Sequence, residues 1–303
     1  MKYSATILVS LLITISSSAQ SWSALPWVRT SRGAADLAMA GAASMSGNNM
    51  AWAANGNSAM VPFCADKMSV EVGYMLFNPS ATNYINAGFA YNLKGKLGIS
   101  ATLSYGADPS YDLYNESGKL TGKYSPGQLL AGVGVSWRFV DFLSAGLNVR
   151  YAMQSLAPQM SNNVVAADLV LMGKFGDFAV SAGAINFGSP VKSSDGSSYN
   201  LASSVKIAAM YDAVFASAHG LQVNIDADYY LNNSATAAAG VQYGWNNMVF
   251  VRAGYRYAMS SCPIPSCASV GLGCRFKGVR LEFAYLVYGF VLNTFNIGVG
   301  YSF

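Results

Sequence analysis

The sequence predicts an all-β fold: a transmembrane antiparallel β-barrel of about 14 strands with a short N-terminal plug. Three observations lead to this prediction, namely a low charge content in an apolar chain, repeated alternation of apolar and polar residues, and an N-terminal export signal. Only 11% of the 303 residues are charged and 52% are hydrophobic, whereas a soluble domain carries about 25% charged residues. Such a chain suits an apolar solvent.

The apolar residues do not form long runs. Beyond the first fifteen or so residues, no unbroken apolar stretch reaches the ~18 residues that a membrane-spanning helix needs. In lipid every backbone N–H and C=O must have a partner, so the spanning alternative to a helix is a closed barrel.

The N-terminus has the three parts of a signal peptide in their usual order. Lys2 supplies a positive charge, residues 5–15 are apolar, and Ser17-Ser18-Ala19 is a small-residue cleavage site. We therefore predict a signal peptide over residues 1–19, a mature chain that begins at Gln20, and the outer membrane of a Gram-negative bacterium as the location. The alternative for these residues is a short buried helix.

Alternation with a period of two begins near Met68 and is clearest in the last segment. One face of that segment is apolar and the other is small or polar, as a wall between lipid and a lumen requires. The apolar face consists of Phe295, Ile297, Val299, Tyr301 and Phe303. Strands are predicted at 67–77, 83–92, 96–106, 127–139, 141–154, 163–174, 177–187, 201–211, 220–231, 236–245, 248–259, 268–276, 278–288 and 293–303.

The connections between these strands alternate in length. Those expected on the periplasmic side are short, except 212–219, and those on the other side are longer, at 107–126, 188–200 and 260–267. Barrels of the outer membrane show this asymmetry. A barrel wall over 66–303 is therefore predicted, and a soluble β-sandwich with a tyrosine-rich surface is the alternative.

Charged residues of both signs fall on the polar faces of the strands. A lumen of mixed charge most simply forms an internal lattice of salt bridges, although Asp226 and Asp228, two residues apart on one face, also have the arrangement of an acid–base pair. The predicted lumen-facing charges are Glu71, Arg138, Arg150, Asp226, Asp228, Arg252, Arg256, Arg280 and Glu282.

Several classes of function are disfavoured. The single histidine, His219, falls in a predicted turn, and the few histidines and cysteines do not provide a set of metal ligands. The net charge of +4 is scattered, without the basic run that a nucleic-acid groove needs. We predict no catalytic residue, metal, cofactor or nucleic-acid partner, and no enzymatic activity.

Four cysteines are present, and two of them bracket the short stretch Cys262-Pro-Ile-Pro-Ser-Cys267 in a predicted outer loop. In an oxidising compartment this spacing favours a disulfide between Cys262 and Cys267. Cys64 and Cys274 are expected to remain unpaired.

Phe303 ends the chain and also ends an alternating strand. This arrangement, with Phe295 and Tyr301 on the same face, resembles the signal that the barrel-assembly machinery recognises, so that machinery is an expected partner along with outer-membrane lipid.

Residues 20–65 lack alternation but are rich in Ala, Gly, Ser, Asn and Met, a composition unlike that of a disordered segment. A barrel of this size has an interior wider than its own side chains fill, so we predict that the segment is a plug inside the wall. The competing interpretation is a periplasmic tail that docks a partner.

The start of this segment resembles the PorV/PorQ-like proteins, which are related to the FadL-type transporters. The resemblance rests on the stretch from Arg32 through Met39 and Gly41, then Trp52, then Asn57 and Ala59. Met39-Ala40-Gly41 replaces the double glycine of the family, and Ser58 stands where the family has proline.

The resemblance implies a plugged barrel of fourteen strands and two possible functions. A PorV- or PorQ-type protein is a shuttle or accessory component of type IX protein secretion and surface attachment, with secretion components as partners. A FadL-type protein moves small hydrophobic molecules across the outer membrane. The predicted charged lumen weakly disfavours the lipid carrier, and a structural or adhesive barrel is a third, lower-ranked class.

Overall fold

The structure is a computed structural model that describes residues 23–78, 81–192, 196–216, 218–288 and 292–303. The predicted signal peptide, residues 1–19, lies outside the described residues. Within the described ranges no helix has the length and apolarity needed to cross a membrane.

The described residues form a closed barrel of fourteen antiparallel strands, as the sequence predicted. The wall strands are β1 Met68–Phe77, β2 Thr82–Leu93, β3 Leu97–Ala107, β6 Gly127–Val140, β7 Leu143–Ala157, β8 Met160–Phe175, β9 Phe178–Gly188, β12 Ser204–Phe215, β13 His219–Tyr230, β14 Ser234–Trp245, β15 Val249–Ala258, β16 Cys267–Phe276, β17 Val279–Tyr288 and β18 Leu292–Ser302. The long loops carry two further hairpins, formed by β4 Tyr111–Tyr114 with β5 Leu120–Tyr124 and by β10 Val191–Lys192 with β11 Ser198–Tyr199.

The alternation in the sequence becomes a difference in burial across the wall. In β17 the side chain of Leu281 is 50% exposed, while its neighbours Arg280 and Glu282 are buried. The same pattern recurs on most wall strands, so the outer surface is a continuous apolar band. An apolar surface of that extent marks contact with lipid.

The two ends of the barrel differ. At one end, here called the turn end, short connections follow β2, β6, β8, β12, β14 and β16, and the chain ends there. At the opposite end, here called the loop end, lie the longest connections, 108–126, 189–203 and 259–266.

One predicted connection is shorter than the sequence suggested. The prediction gave a turn over 212–219, but β12 and β13 continue their ladder to the pair Phe215 and His219, so both strands extend into the predicted turn. The outward-facing Ala213 and Phe215, the latter 49% exposed, maintain the apolar alternation through this stretch. The turn end is therefore uniformly tight.

β1 and β18 close the barrel, and the last residue takes part in the closure. The carbonyl of Phe303 accepts hydrogen bonds from the backbone N–H groups of Lys67, at 2.6 Å, and Met68, at 2.9 Å. Its ring is half exposed and lies 5.9 Å from the ring of Tyr301, and Phe295 contacts Phe283 on the same outer face.

Deletion of Phe303 is expected to lower the amount of folded barrel in the outer membrane several-fold, because it removes the closing hydrogen bonds together with the predicted assembly signal. Heat-modifiable migration of membrane fractions on gels measures the folded species. Deletion of Ser117, in the exposed tip of the β4–β5 hairpin, is the control and should leave folded levels unchanged. Equal levels for both deletions would contradict the closing role.

Candidate functional site

The described part of the N-terminal segment, residues 23–65, lies against the inner face of the wall. It forms three 3-10 helices, Pro26–Arg29, Gly47–Asn55 and Ser58–Phe63, and one α-helical turn, Ala34–Leu37. The α-helical turn ends early because Ala40 and Gly41 have positive φ angles of 56° and 82°. Met39, Trp52 and most other side chains of the segment are buried.

Inward-facing glycines let the segment approach the wall backbone. A Cβ on Gly254 of β15 would come within 2.4 Å of the Met39 backbone, and one on Gly146 of β7 within 2.4 Å of the Ala59 nitrogen. No side chain fits at those distances, so these two positions require glycine. The segment is thus held by contacts on opposite parts of the wall.

A wall ion pair anchors the middle of the segment. Arg280 of β17 and Glu71 of β1 form an ion pair of 3.3 Å, and both side chains are buried. Glu71 also accepts a hydrogen bond from the Trp52 indole at 2.8 Å, and Arg280 donates to the Asn48 carbonyl at 2.7 Å. The predicted lumen charges Glu71 and Arg280 and the predicted motif residue Trp52 therefore meet in one network.

A second anchor holds the beginning of the segment. The Arg29 guanidinium lies 2.6 Å from the Asp228 carboxylate and over the ring of Tyr230. On the neighbouring part of the wall, Arg150 pairs with Asp168 at 2.6 Å and donates to the Val28 carbonyl. Both contacts fix the helix Pro26–Arg29 against the wall.

The other predicted lumen charges lie outside these two anchors. Arg252 pairs with Glu282 across β16, and Asp226 pairs with Lys206 at 2.7 Å. Arg256 donates to the carbonyls of Ala40 and Pro265 near the loop end. Arg138 lies at the turn end, half exposed, where it donates to the Asp141 carbonyl and lies over the ring of Phe63.

Asn57 and Gly41 of the predicted motif have local roles. The Asn57 side chain accepts from the Ala59 N–H at 3.0 Å and so caps the helix Ser58–Phe63. Gly41 takes the left-handed conformation that ends the helical stretch after Ala34.

Among the arginines named above, Arg32 is the one that is buried without a carboxylate partner. It is only 1% exposed, and its one hydrogen bond in the described structure runs from Nη2 to the Trp27 carbonyl at 3.2 Å. Its Nε and Nη1 atoms have no hydrogen-bond partner. The guanidinium instead lies over the rings of Tyr84, at 4.8 Å, and Trp27, at 5.8 Å. Burial, together with the charge of Arg150, lowers the pKa of Arg32 to about 10, so it remains a cation at neutral pH.

Arg32 lines a cavity at the loop end, here called the loop-end pocket. Its volume is about 190 Å³. The lining combines aromatic and aliphatic side chains with two arginines, one threonine and one serine: Pro26, Trp27, Thr30, Ser31, Arg32, Leu37, Met75, Phe77, Tyr84, Arg256, Pro263, Ile264, Pro265 and Tyr288.

A larger cavity of about 610 Å³ opens at the turn end. Met45, Met60, Met172 and Met210 form its apolar part, and the charged residues at its rim include Lys174, Asp212 and Arg275. The loop-end pocket and this turn-end cavity have no lining residue in common among the described residues. The buried helices of the N-terminal segment lie between them.

The structure does not join Cys262 and Cys267 in the predicted disulfide. Cys262 and Cys267 are both free thiols, like Cys64 and Cys274. The Cys262 thiol donates to the Ala235 carbonyl at 2.9 Å, while Cys267 is the first residue of β16 and packs inward in a buried apolar cluster. The two side chains therefore have different neighbours despite their proximity in sequence.

Some residues of this site were not identified from the sequence. Asp168 and Tyr84 occupy inward positions of their strands, opposite in parity to Leu169 and Ile85, so the alternation contained the signal for both. Arg29 and Trp27 lie in the segment without periodicity, and nothing in their sequence context distinguishes them.

The fold and the interior together define a class of protein: a transmembrane β-barrel of fourteen strands with an N-terminal segment packed inside and an apolar pocket at the loop end. No protein-family model matches the sequence, and no curated protein matches it. Any closer comparison therefore depends on structure.

Solved structures with the same fold are hydrocarbon transporters. The crystal structure of the toluene transporter TodX of Pseudomonas putida matches with a TM-score of 0.63 and 15% identity over 90% of this chain and 98% of TodX. The monoaromatic hydrocarbon channel CymD matches with 0.64 and 11% identity over 90% and 97%. The toluene transporter TbuX of Ralstonia pickettii matches with 0.59 and 10% identity over 89% and 97%.

At these identities the likeness is one of fold. It shows that this chain shares the barrel fold of these hydrocarbon transporters. No comparison supports the narrower PorV/PorQ assignment.

The Arg29–Asp228 pair generates a prediction about stability. Asp228→Asn is expected to destabilise the folded barrel by about 3–5 kcal/mol, because it leaves the buried Arg29 charge without its counter-charge. Chemical unfolding in detergent, followed by intrinsic fluorescence, measures the change.

Asp112→Asn is the matched control, since it removes a carboxylate whose partner Lys123 is exposed. That change should shift stability by no more than about 1 kcal/mol. Equal shifts for the two variants would show that the Arg29–Asp228 pair does not hold the segment.

Proposed function

We propose that the protein is an outer-membrane channel for small apolar molecules, which enter at the loop-end pocket. The single observation that carries the proposal is that pocket, since an aromatic and aliphatic cavity stands where a molecule arriving from outside first meets the barrel interior. Ligand sites are typically concave and mostly apolar, with a few polar groups that fix orientation.

The size of the pocket favours a single-ring molecule. Its volume is about 190 Å³, whereas an apolar protein cavity of about 150 Å³ is known to bind benzene. The structural neighbours include a toluene transporter and a monoaromatic hydrocarbon channel. Their shared fold and the dimensions of this pocket both support a monoaromatic ligand here.

We further propose that residues 20–65 act as the plug that controls passage. The described part of the segment fills the space between the loop-end pocket and the turn-end cavity with buried side chains such as Met39 and Trp52. Passage toward the turn end then requires the segment to move. Its anchors are hydrogen bonds and ion pairs, which can open without breaking the wall.

The type IX secretion role that the sequence resemblance implied is not part of this proposal. None of the structural neighbours named above supports it, and the described strands of the loop hairpins β4–β5 and β10–β11 are short.

Uptake of toluene by cells tests the channel. Cells that express the protein in an outer membrane of low permeability should take up labelled toluene several-fold faster than cells with an empty vector. Ile264→Trp, which fills the pocket from a loop residue, should abolish most of the gain. Val287→Trp on the lipid-facing side of β17 is the control and should transport normally. Uptake equal to that of the empty vector would refute the channel.

Deletion of Arg32 to Met60 tests the plug. If the deleted barrel assembles, as heat-modifiable migration shows, its conductance in planar bilayers should rise well above that of the intact protein. Cells should also become more sensitive to bulky antibiotics. If the assembled deletion variant has unaltered conductance, the segment does not block the lumen. That result would favour the competing interpretation, a tail that docks a partner.

A further inference from the structure

The loop-end pocket contains a cation that the protein itself does not satisfy. Arg32 is 1% exposed, and its Nε and Nη1 atoms have no hydrogen-bond partner among the described residues. Its neighbours over the guanidinium face are the rings of Tyr84 and Trp27. A buried cation with unmet donors is unfavourable unless an acceptor completes it.

The pocket supplies no such acceptor of negative charge. Among the described residues its lining includes Arg32 and Arg256 but no aspartate or glutamate. Arg256 already donates to the carbonyls of Ala40 and Pro265, so its contacts serve to hold the loop and the segment in place. The pocket is therefore apolar and positively charged at once.

Nearby carboxylates are engaged elsewhere. Asp36 accepts hydrogen bonds from the Ser31 hydroxyl and from the Ala43 N–H at 2.7 Å. Asp228 pairs with Arg29, and Asp168 pairs with Arg150. Arg29 and Arg150 are thus neutralised by wall carboxylates. Of the two arginines that line the pocket, Arg32 and Arg256, only Arg32 has buried donor atoms without a hydrogen-bond partner among the described residues.

We propose that the loop-end pocket binds a small aromatic carboxylate, with the carboxylate on the free N–H groups of Arg32 and the ring among Trp27, Phe77 and Tyr84. This inference rests on the proposed function and narrows its substrate class from apolar molecules to amphipathic anions. The carboxylate completes the hydrogen bonding of Arg32, and charge-assisted hydrogen bonds of this kind are the strong ones. Four rings line the pocket, with Phe77 and Tyr288 packed edge to face at 6.0 Å, which suits a flat ligand.

Calorimetric titration of the purified mature protein in a neutral maltoside detergent tests the inference, with benzoate, benzamide and toluene as probes. Benzamide has nearly the shape of benzoate but no charge. Benzoate should bind about 10- to 100-fold more tightly than benzamide, the effect of hydrogen bonds to a charged group. Arg32→Gln should remove that difference.

Arg138→Gln, at the turn end, is the matched control and should retain the preference for benzoate. If Arg32→Gln fails to fold, the comparison of benzoate with benzamide on the unaltered protein still tests whether the pocket prefers a carboxylate. Equal affinities for benzoate and benzamide would overturn the inference, and toluene binding in that case would leave the proposed channel intact. Binding of none of the three probes would count against the proposed function itself.

Discussion

The need to pair every backbone polar group in hydrocarbon is the constraint on which the rest of this structure depends. A chain with 11% charged residues, and with no long apolar helix in its described part, meets it by closing fourteen strands on themselves, with β1 against β18. Closure fixes the side-chain parity of each strand, because the two faces of a strand alternate. The outward side chains can then be apolar, and the polar and charged side chains of the strands face the lumen.

The inside of the barrel solves a different problem. Fourteen strands enclose more space than their inward side chains fill, and those side chains include buried charges. The N-terminal segment occupies the space and also supplies partners: the Trp52 indole for Glu71, the Asn48 carbonyl for Arg280, and the Arg29 guanidinium for Asp228. The wall and the segment therefore each supply hydrogen-bond partners that the other needs.

The sequence predicted the wall far better than the interior. Strand positions follow from a period of two, so all fourteen strands were found, and the main error in the connections was the turn at 212–219. The contacts of the segment were not predictable in the same way. The resemblance singled out Arg32, but it is Arg29, three residues earlier, that pairs with Asp228 of the wall. No local pattern distinguishes two arginines whose roles depend on how an irregular segment folds.

The separation of those two arginines explains how one segment combines a structural and a binding role. Arg29 and Arg150 are neutralised by Asp228 and Asp168 of the wall, so their charges hold the segment in place. Arg32 lies beyond the reach of those carboxylates and over the rings of Tyr84 and Trp27, on the side of the loop-end pocket. A ligand that neutralises Arg32 changes the electrostatics of the same segment that separates the two cavities. Occupancy of the pocket and the position of the segment are therefore thermodynamically coupled, provided that the ligand binds one position of the segment more tightly than another.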